Sequence, residues 1–318
     1  MREARSPVAI LLNARGDYLL NLPALRALSH LWPEDLRVVC REGARRTFFP
    51  ELPLADVLEP ETDCLGPEYT FDAGALVAEL GECDLLLSLN PWHGAALDRL
   101  LGGLAPARSV GFHPSFATHL PLDFSKHSAE LAFDVPRTVS PSLRIEDFAG
   151  PPELLEGSEE FARLLAERVE PDARIVAVHD DTKDDKLWAP ERFAATLDEL
   201  IAAHPTWIVF DVGARDLGLD RGAASDRVVP CGRLPLSVAT ALVGQADLFI
   251  GVDSCFLHAA DLYRVPSVAL FGPTDAHEFG LRFARHRHVA GDGGMDAITT
   301  EMVLAAVDEL LAEELVAG

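Results

Sequence analysis

Short runs of apolar residues alternate with segments of helical spacing through the first half of the chain. Residues 8–12 form an apolar run that ends in the polar residues 13–17, and apolar side chains then recur at near-helical spacing from Leu22 to Trp32. This pattern predicts a strand, a turn and a helix, with Pro23 tolerated only in the first turn of that helix. Further strands are predicted at residues 36–40, 57–58, 84–89 and 108–112. Because the strands are continuously apolar, they indicate a parallel sheet covered on both faces.

The second half of the chain repeats this order after an interruption. Between residues 113 and 170 the periodicity fades and prolines accumulate, so we place a domain boundary there and predict domains at 1–150 and 151–318. Strands follow at residues 175–178, 207–210, 248–251 and 267–271. Apolar residues from 302 to 311 predict a C-terminal helix, capped by Thr300 and a candidate to pack back toward the first domain. The predicted fold class is α/β, with two doubly wound domains in tandem.

In doubly wound sheets, ligands bind beyond the carboxyl ends of the strands. Functional side chains are therefore expected in the loops that follow the predicted strands. These loops are residues 13–17, 179–188, 211–216, 251–258 and 271–275.

The charge balance of the chain limits its partners. Its 318 residues carry 51 acidic and 27 basic side chains, for a formal net charge of -24. Such a charge repels nucleic acid phosphates and anionic lipid surfaces. Neither nucleic acid nor an acidic membrane is therefore an expected partner.

Cysteine usage and hydropathy bear on where the protein works. The five cysteines are scattered without a pair at metal-ligand spacing, which is typical of a reducing cytoplasm. No apolar run approaches the roughly 18 residues that span a bilayer, so neither a signal peptide nor a transmembrane helix is expected. The prediction is a cytoplasmic protein without stable membrane insertion.

Asp17 is the carboxylate of the first predicted strand-to-helix turn, beside Gly16, which permits a tight backbone. In this position the carboxylate could serve as a general base toward a bound molecule. It could equally cap the helix. Spacing alone leaves both interpretations open.

Residues 179–191 place four aspartates, two lysines and a threonine between a strand and a helix. Aspartate oxygens suit Mg²⁺, so one interpretation is a divalent metal site. A second makes Thr182, Lys183 and Lys186 a grip for a diphosphate, with the aspartates solvated or paired. A third is an ordinary charged surface loop.

Residues 251–258 follow a predicted buried strand and open a helix, whose free N–H groups suit a phosphate. Ser254 adds a hydroxyl there, and Thr274 adds another after the next strand. His258 lies one turn further along, where a lone histidine is more often structural than catalytic. The glycine patterns of dinucleotide-binding and P-loop proteins do not occur in the sequence.

Three ordered segments together resemble glycosyltransferase family 9, which includes the ADP-heptose:lipopolysaccharide heptosyltransferases. They are residues 16–28, 185–193 and 246–275. The resemblance covers nearly the whole chain in the right order. It implies a GT-B fold, in which two Rossmann-like domains with parallel sheets face each other across a cleft, the first binding the acceptor and the second the nucleotide sugar. It also implies inversion of the anomeric centre without a metal.

The resemblance also assigns roles to residues. Asp17 matches the carboxylate that deprotonates the acceptor hydroxyl, and Lys186 matches the lysine that neutralises the diphosphate of the donor. Because a lysine and a helix N-terminus can stabilise a departing diphosphate, the grip is favoured over the Mg²⁺ site. Cys255 stands where relatives usually have glycine, which implies either a tighter approach of the backbone to the phosphate or a reshaped loop. The predicted donor-binding residues are Gly16, Thr182, Lys183, Asp216, Asp253, Ser254, Cys255, His258 and Thr274.

No metal and no cofactor are expected beyond the nucleotide sugar, which is a co-substrate. Enzymes that act on anionic lipid A usually carry basic patches, for which a charge of -24 is poorly suited. We therefore expect heptose transfer from ADP-heptose to a soluble, neutral or cationic natural product, such as an aminoglycoside or a nucleoside. The alternatives are a lipopolysaccharide core heptosyltransferase, a nucleotide-sugar epimerase and a non-catalytic relative. The candidate acceptor loops, residues 90–93 and 113–126, carry no recognisable signature.

Overall fold

The chain forms two compact units, Met1–Glu153 and Leu154–Gly318. The computed structural model describes residues 3–50, 52–63, 70–167, 173–213 and 227–317. Each unit contains one six-stranded sheet with helices packed on it, so the predicted α/β class with two doubly wound units is confirmed. None of the helices in the described ranges combines the length and the apolarity needed to cross a membrane.

The first unit alternates strands and helices from its first strand onward. In chain order its elements are β1 (Pro7–Leu11), α1 (Arg15–Leu31), β2 (Arg37–Cys40), α2 (Ala44–Phe48), β3 (Asp56–Leu58), α3 (Ala73–Leu80), β4 (Leu85–Ser88), α4 (Ala95–Leu104), β5 (Arg108–Gly111), β6 (Thr118–His119) and α5 (Ser128–Val139). The strand order is β3-β2-β1-β4-β5-β6, with parallel pairing throughout. The order reverses between β1 and β4, so the carboxyl ends of these strands flank the switch point at which such sheets bind ligands.

The second unit repeats this architecture. Its elements are α6 (Ser158–Ala166), β7 (Arg174–His179), α7 (Pro190–Ala203), β8 (Trp207–Asp211), β9 (Val228–Pro230), α8 (Leu236–Val243), β10 (Leu248–Val252), α9 (Cys255–Tyr263), β11 (Ser267–Phe271), α10 (Ala276–Phe279), β12 (His286–Ala290) and α11 (Thr300–Ala317). The strand order is β12-β11-β10-β7-β8-β9, again with parallel pairing throughout. Its switch point lies between β7 and β10.

The central strands of both sheets are buried along their whole length, because helices cover both faces. Every residue of β1 and of β10 is buried. The C-terminal helix α11 packs into the core of its own unit: Val303, Val307 and Leu310 share one apolar cluster with Trp188 and Phe193. The carboxyl ends of the strands thus emerge from a fixed framework, on which the loops carry the functional side chains.

Pro23 lies in the interior of α1, so the expectation that it would occupy the first turn is wrong. The reason is packing, since every side chain from Tyr18 to Leu25 is buried. Burial of this many side chains outweighs the roughly 3 kcal/mol that an internal proline costs a helix. Sequence propensity is therefore overridden at this position by the core.

The sequence pattern also missed several elements near the sheet edges. The strands β6, β9 and β12 were not predicted because they lie at edges of the sheets and are largely exposed or half-buried, without continuous apolar runs. The helix α5, with Pro136 inside it, lies in the segment where the periodicity fades and packs on α1. At the start of α11, the hydroxyl of Thr299 accepts the N–H of Met302 at 3.4 Å, so the cap is Thr299 and not Thr300.

Candidate active site

The buried carboxylate of Asp253 connects three loops at the switch point of the second sheet. Lys186 Nζ donates to Asp253 Oδ2 at 2.5 Å, and Thr274 Oγ1 donates to the same oxygen at 2.8 Å. Thr182 Oγ1 donates to the backbone carbonyl of Asp253 at 3.0 Å. These residues follow β7, β10 and β11, which are neighbours in the sheet. Four predicted donor-site residues that are far apart in the sequence are thus brought together.

The Asp253 carboxylate is held in its charged form. Its side chain is 7% exposed, and His258 Nε2 lies 3.8 Å from its Oδ1. Burial raises the pKa of Asp253, but charge on His258 and Lys186, with hydrogen bonds from Lys186 and Thr274, outweighs burial and lowers the pKa from 3.8. Asp253 is therefore an anion at neutral pH, and it fixes the Lys186 ammonium at the switch point.

The loop after β7 positions Lys186 through two anchors. A 3-10 turn at Asp184–Lys186 is closed by the Lys186 N–H, which donates to the Lys183 carbonyl at 2.9 Å. Two residues further on, the buried Trp188 donates its ring N–H to the Ile298 carbonyl at 3.0 Å. Lys183 itself is exposed, and no contact in the described ranges brings it to Asp253. The two lysines of this loop are therefore not equivalent.

The close pairing of β10 with β7 requires a glycine at residue 251. A Cβ on Gly251 would lie 2.7 Å from the Phe249 ring and 2.9 Å from the His179 carbonyl, both shorter than real Cβ contacts. Gly251 pairs with His179 across the switch point, so the close approach of β10 and β7 depends on this residue. Gly251 thus helps to position Asp253, which follows two residues later at the carboxyl end of β10.

The N-terminus of α9 offers several donors beside Asp253. Ser254 is the N-cap residue, and its hydroxyl is buried without a hydrogen-bond partner among the described residues. The first turn of α9 begins at the half-buried Cys255, and a helix directs its first backbone N–H groups out along its axis. A hydroxyl, backbone N–H groups and the positive end of the helix dipole together favour an anion here.

Asp17 and Gly16 lie in the first turn of α1, at the switch point of the first sheet. Asp17 Oδ2 accepts the N–H of Ala14 at 3.0 Å, so the capping contact of the second interpretation is present. The neighbouring Tyr18 hydroxyl donates to the Leu11 carbonyl at 2.9 Å and fixes this turn to the end of β1. The half-buried carboxylate is thus held in place, and its role as a base stays a prediction.

A second polar cluster, which the sequence pattern did not indicate, lies in the loops after β4 and β5. His93 Nε2 contacts Asp98 Oδ1 at 2.8 Å, and Ser115 Oγ donates to the same oxygen at 2.7 Å. His113 Nδ1 lies 2.8 Å from Ser115 Oγ, and the two imidazole rings stack with their centroids 3.6 Å apart. The sequence does show that both histidines follow predicted strands. It does not show that these two strands are neighbours in the sheet.

The charge states in this second cluster follow from its contacts. Hydrogen bonds from Ser115 and His93 lower the pKa of Asp98, which therefore stays ionised. Burial and the charge of His93 lower the pKa of His113, which favours its neutral imidazole. Among the residues that the structure describes, this is the one group of three side chains able to hold a metal ion, and residues 179–191 contribute no such group.

Asp216, one of the predicted donor-binding residues, lies outside the described residues. The remaining predicted positions fall into two sets, one in each unit. Gly16 and Asp17 belong to the first unit, and the Asp253 cluster with the start of α9 belongs to the second.

Comparison with known proteins finds one matching family model and several solved structures of similar fold. Residues 75–296 match the family model of glycosyltransferase family 9 (heptosyltransferase). No curated protein sequence matches the chain significantly. A family 9 glycosyl transferase from Veillonella parvula DSM 2008 is similar with a TM-score of 0.75 at 19% identity, covering 97% of both chains.

Two structures from E. coli are also similar over nearly their full length. ADP-heptose lps heptosyltransferase II has a TM-score of 0.70 at 15% identity, covering 97% of this chain and 99% of its own. Heptosyltransferase WaaC with ADP has a TM-score of 0.66 at 17% identity, covering 96% and 97%. These likenesses establish the fold, and the predicted GT-B class is confirmed.

We expect Asp253→Asn to lower the midpoint of thermal unfolding at neutral pH and to have a smaller effect in acid. The folded pKa is lowered from 3.8, so the ionised carboxylate stabilises the fold above this value and loses its contribution as the pH falls through the lower folded pKa. Circular dichroism melts of both proteins should differ by a constant amount between about pH 7 and 5, and by less below about pH 3.5. A difference that stays constant into strong acid would contradict the assigned charge.

Proposed function

The chain belongs to glycosyltransferase family 9 and is a glycosyltransferase, and on that premise we propose that it transfers heptose from ADP-heptose to a soluble acceptor. The transfer inverts the anomeric centre and needs no metal. The observation that carries the proposal is the Lys186–Asp253 pair beside the N-terminus of α9. We propose that the departing diphosphate binds against the Lys186 ammonium, the Ser254 hydroxyl and the positive end of the α9 dipole.

The donor site is proposed on the basis of charge. As the glycosidic bond breaks, the leaving diphosphate gains negative charge that must be stabilised. Lys186 supplies a fixed ammonium, while Ser254 and the first turn of α9 supply hydrogen-bond donors. In other enzymes Mg²⁺ stabilises the charge on a leaving diphosphate. We propose that these donors do so here without a metal. We extend ADP and ADP-heptose to this chain from the names of its two E. coli relatives.

The acceptor is activated in the first unit. In the proposed step the Asp17 carboxylate takes the proton of the acceptor hydroxyl, the oxygen attacks the anomeric carbon, and ADP leaves with the electrons of the broken bond. A general base must be held in a fixed orientation to act in this way. The hydrogen bond from Ala14 and the anchored neighbour Tyr18 provide that orientation.

The proposed acceptor is a neutral or cationic small molecule such as an aminoglycoside or a nucleoside. One E. coli relative is named for transfer to lipopolysaccharide, which is a polyanion on a membrane. With a formal charge of -24, this chain would be repelled from such a surface. The charge therefore favours a soluble acceptor over the lipopolysaccharide core.

Lys186→Ala is expected to weaken ADP binding by roughly ten- to hundredfold, because a charge-assisted hydrogen bond contributes about 1.5–3 kcal/mol. Isothermal titration calorimetry measures this effect directly. The matched control is Lys126→Ala, since Lys126 pairs with Asp134 in the first unit and should leave ADP affinity unchanged. Equal ADP affinity in wild type and Lys186→Ala would reject the donor site.

Asp17→Asn is expected to slow transfer by about 10²–10⁴-fold, the usual contribution of a general base. The asparagine keeps an oxygen that can accept the Ala14 N–H, so the thermal stability should change little. ADP affinity should be unchanged. The measurements are single-turnover rates with ADP-heptose, melts and calorimetry, and a variant that retains the wild-type rate refutes the base assignment.

Sedimentation with vesicles tests the class of acceptor. The chain should remain in the supernatant with vesicles of anionic lipid at physiological ionic strength, where like charges still repel at the surface. Vesicles of neutral lipid are the control for protein that is carried into the pellet without binding to anionic lipid. Tight binding to the anionic vesicles alone would reverse the proposal in favour of a lipopolysaccharide acceptor.

A further inference from the structure

The His93 cluster is built from two loops that follow neighbouring strands of the first sheet. His93 follows β4, Asp98 lies in the first turn of α4, and His113 follows β5. The proposed diphosphate-binding residues Lys186 and Ser254 lie in the second unit, and Gly16 and Asp17 follow β1. His93 and His113 lie in the candidate acceptor loops, but no step of the proposed reaction uses the side chains of the cluster.

The ligand atoms of His93, Asp98 and His113 are close enough to share one ion. All three lie within 4.8 Å of one another, and the shortest separation is the 2.8 Å between His93 Nε2 and Asp98 Oδ1. With bonds of about 2.0–2.2 Å, a tetrahedral zinc ion holds its donor atoms about 3.3 Å apart. The 2.8 Å separation is below this value and the 4.8 Å limit is above it. In the stack the ring planes are parallel to within 5°, so binding of one ion requires the His113 ring to turn out of the stack. The residues that follow it, Pro114 and Ser115, are exposed.

The chemistry of this donor set is that of a divalent transition metal. Two imidazoles and one carboxylate are the ligands of catalytic zinc and non-haem iron sites, and they leave a coordination position open. Ser115 Oγ, which contacts both Asp98 and His113, or a water can complete the shell. The Asp98 side chain is 51% exposed, which gives an ion access, while His93 at 11% is held by packing.

Charge favours a cation at this position. Two imidazole nitrogens and a carboxylate oxygen gathered at one place supply the lone pairs that a cation needs. The net charge of -24 further raises the local concentration of cations.

We propose that His93, Asp98 and His113 bind one divalent transition-metal ion of the zinc type. The ion links the loop after β4 to the loop after β5 and so fixes the carboxyl edge of the first sheet beside its switch point. Trp92 lies next to His93 in the chain and is 48% exposed, which makes its fluorescence a reporter of the ion. The site is independent of the diphosphate grip in the second unit.

The test uses full-length, tag-free protein that has been treated with a chelator and dialysed. Zn²⁺ is titrated by calorimetry, and Co²⁺ is titrated while visible ligand-field absorption and Trp92 fluorescence are recorded. We expect one ion per chain, Co²⁺ bands of low coordination number and an increase in the unfolding midpoint with Zn²⁺. His113→Ala and Asp98→Asn should each weaken binding by roughly tenfold or more and remove the bands.

The control is His30→Ala, which removes an exposed histidine of the same unit in the last turn of α1 and should leave binding unchanged. Asp98→Asn keeps the size of the side chain, so it reports on the ligand even if His113→Ala is destabilised. The proposal is overturned if no one-site binding occurs, or if both cluster variants bind Zn²⁺ as the wild type does. The metal titrations contain neither sugar donor nor acceptor. Failure of the metal proposal therefore does not affect the proposed sugar transfer, which has its own tests.

Discussion

The buried Asp253 carboxylate is the constraint on which the organisation of the second unit depends. A charged group at 7% exposure is stable only if partners replace the water that it has lost. Those partners are Lys186, Thr274 and His258, so three loops that would otherwise be independent share one anchor. The parallel sheet brings these loops together, because its strand order reverses between β7 and β10 and Asp253 follows β10 at this switch point.

The central part of the fold could be predicted from sequence because burial leaves a direct mark on composition. Strands such as β1 and β10 are covered on both faces and appear as continuous apolar runs. Edge strands such as β12 are half-exposed and carry no such mark. Pro23 shows a different failure. Proline strongly disfavours a helix interior, but the burial of its neighbours keeps α1 continuous through this residue. Local sequence patterns thus predict buried strands well. They predict poorly the features that depend on tertiary packing.

Candidate site residues could be predicted where they directly follow a predicted strand in the sequence. Contacts that depend on which strands are neighbours in the sheet could not be predicted. Lys186, Asp253 and Thr274 lie in loops that directly follow predicted strands, and family resemblance singled them out. That Lys186 would bond Asp253, while Lys183 stays exposed, depends on one 3-10 turn that spacing cannot specify. The contact between His93 and Asp98, and the stack of His93 on His113, require β4 and β5 to be adjacent, which sequence spacing does not reveal.

The Lys186–Asp253 pair gives the lysine a counter-ion within its own unit. In the proposed reaction, the diphosphate must compete for the ammonium with a carboxylate already hydrogen-bonded to it, at an effective concentration set by the fold and not by the solution. In the same proposal, Asp253 re-forms its ion pair with Lys186 after bond cleavage, which weakens the binding of the product. The proposed site therefore gives up ground-state affinity in favour of turnover, and its inhibition by product is weaker than a lone lysine contact implies.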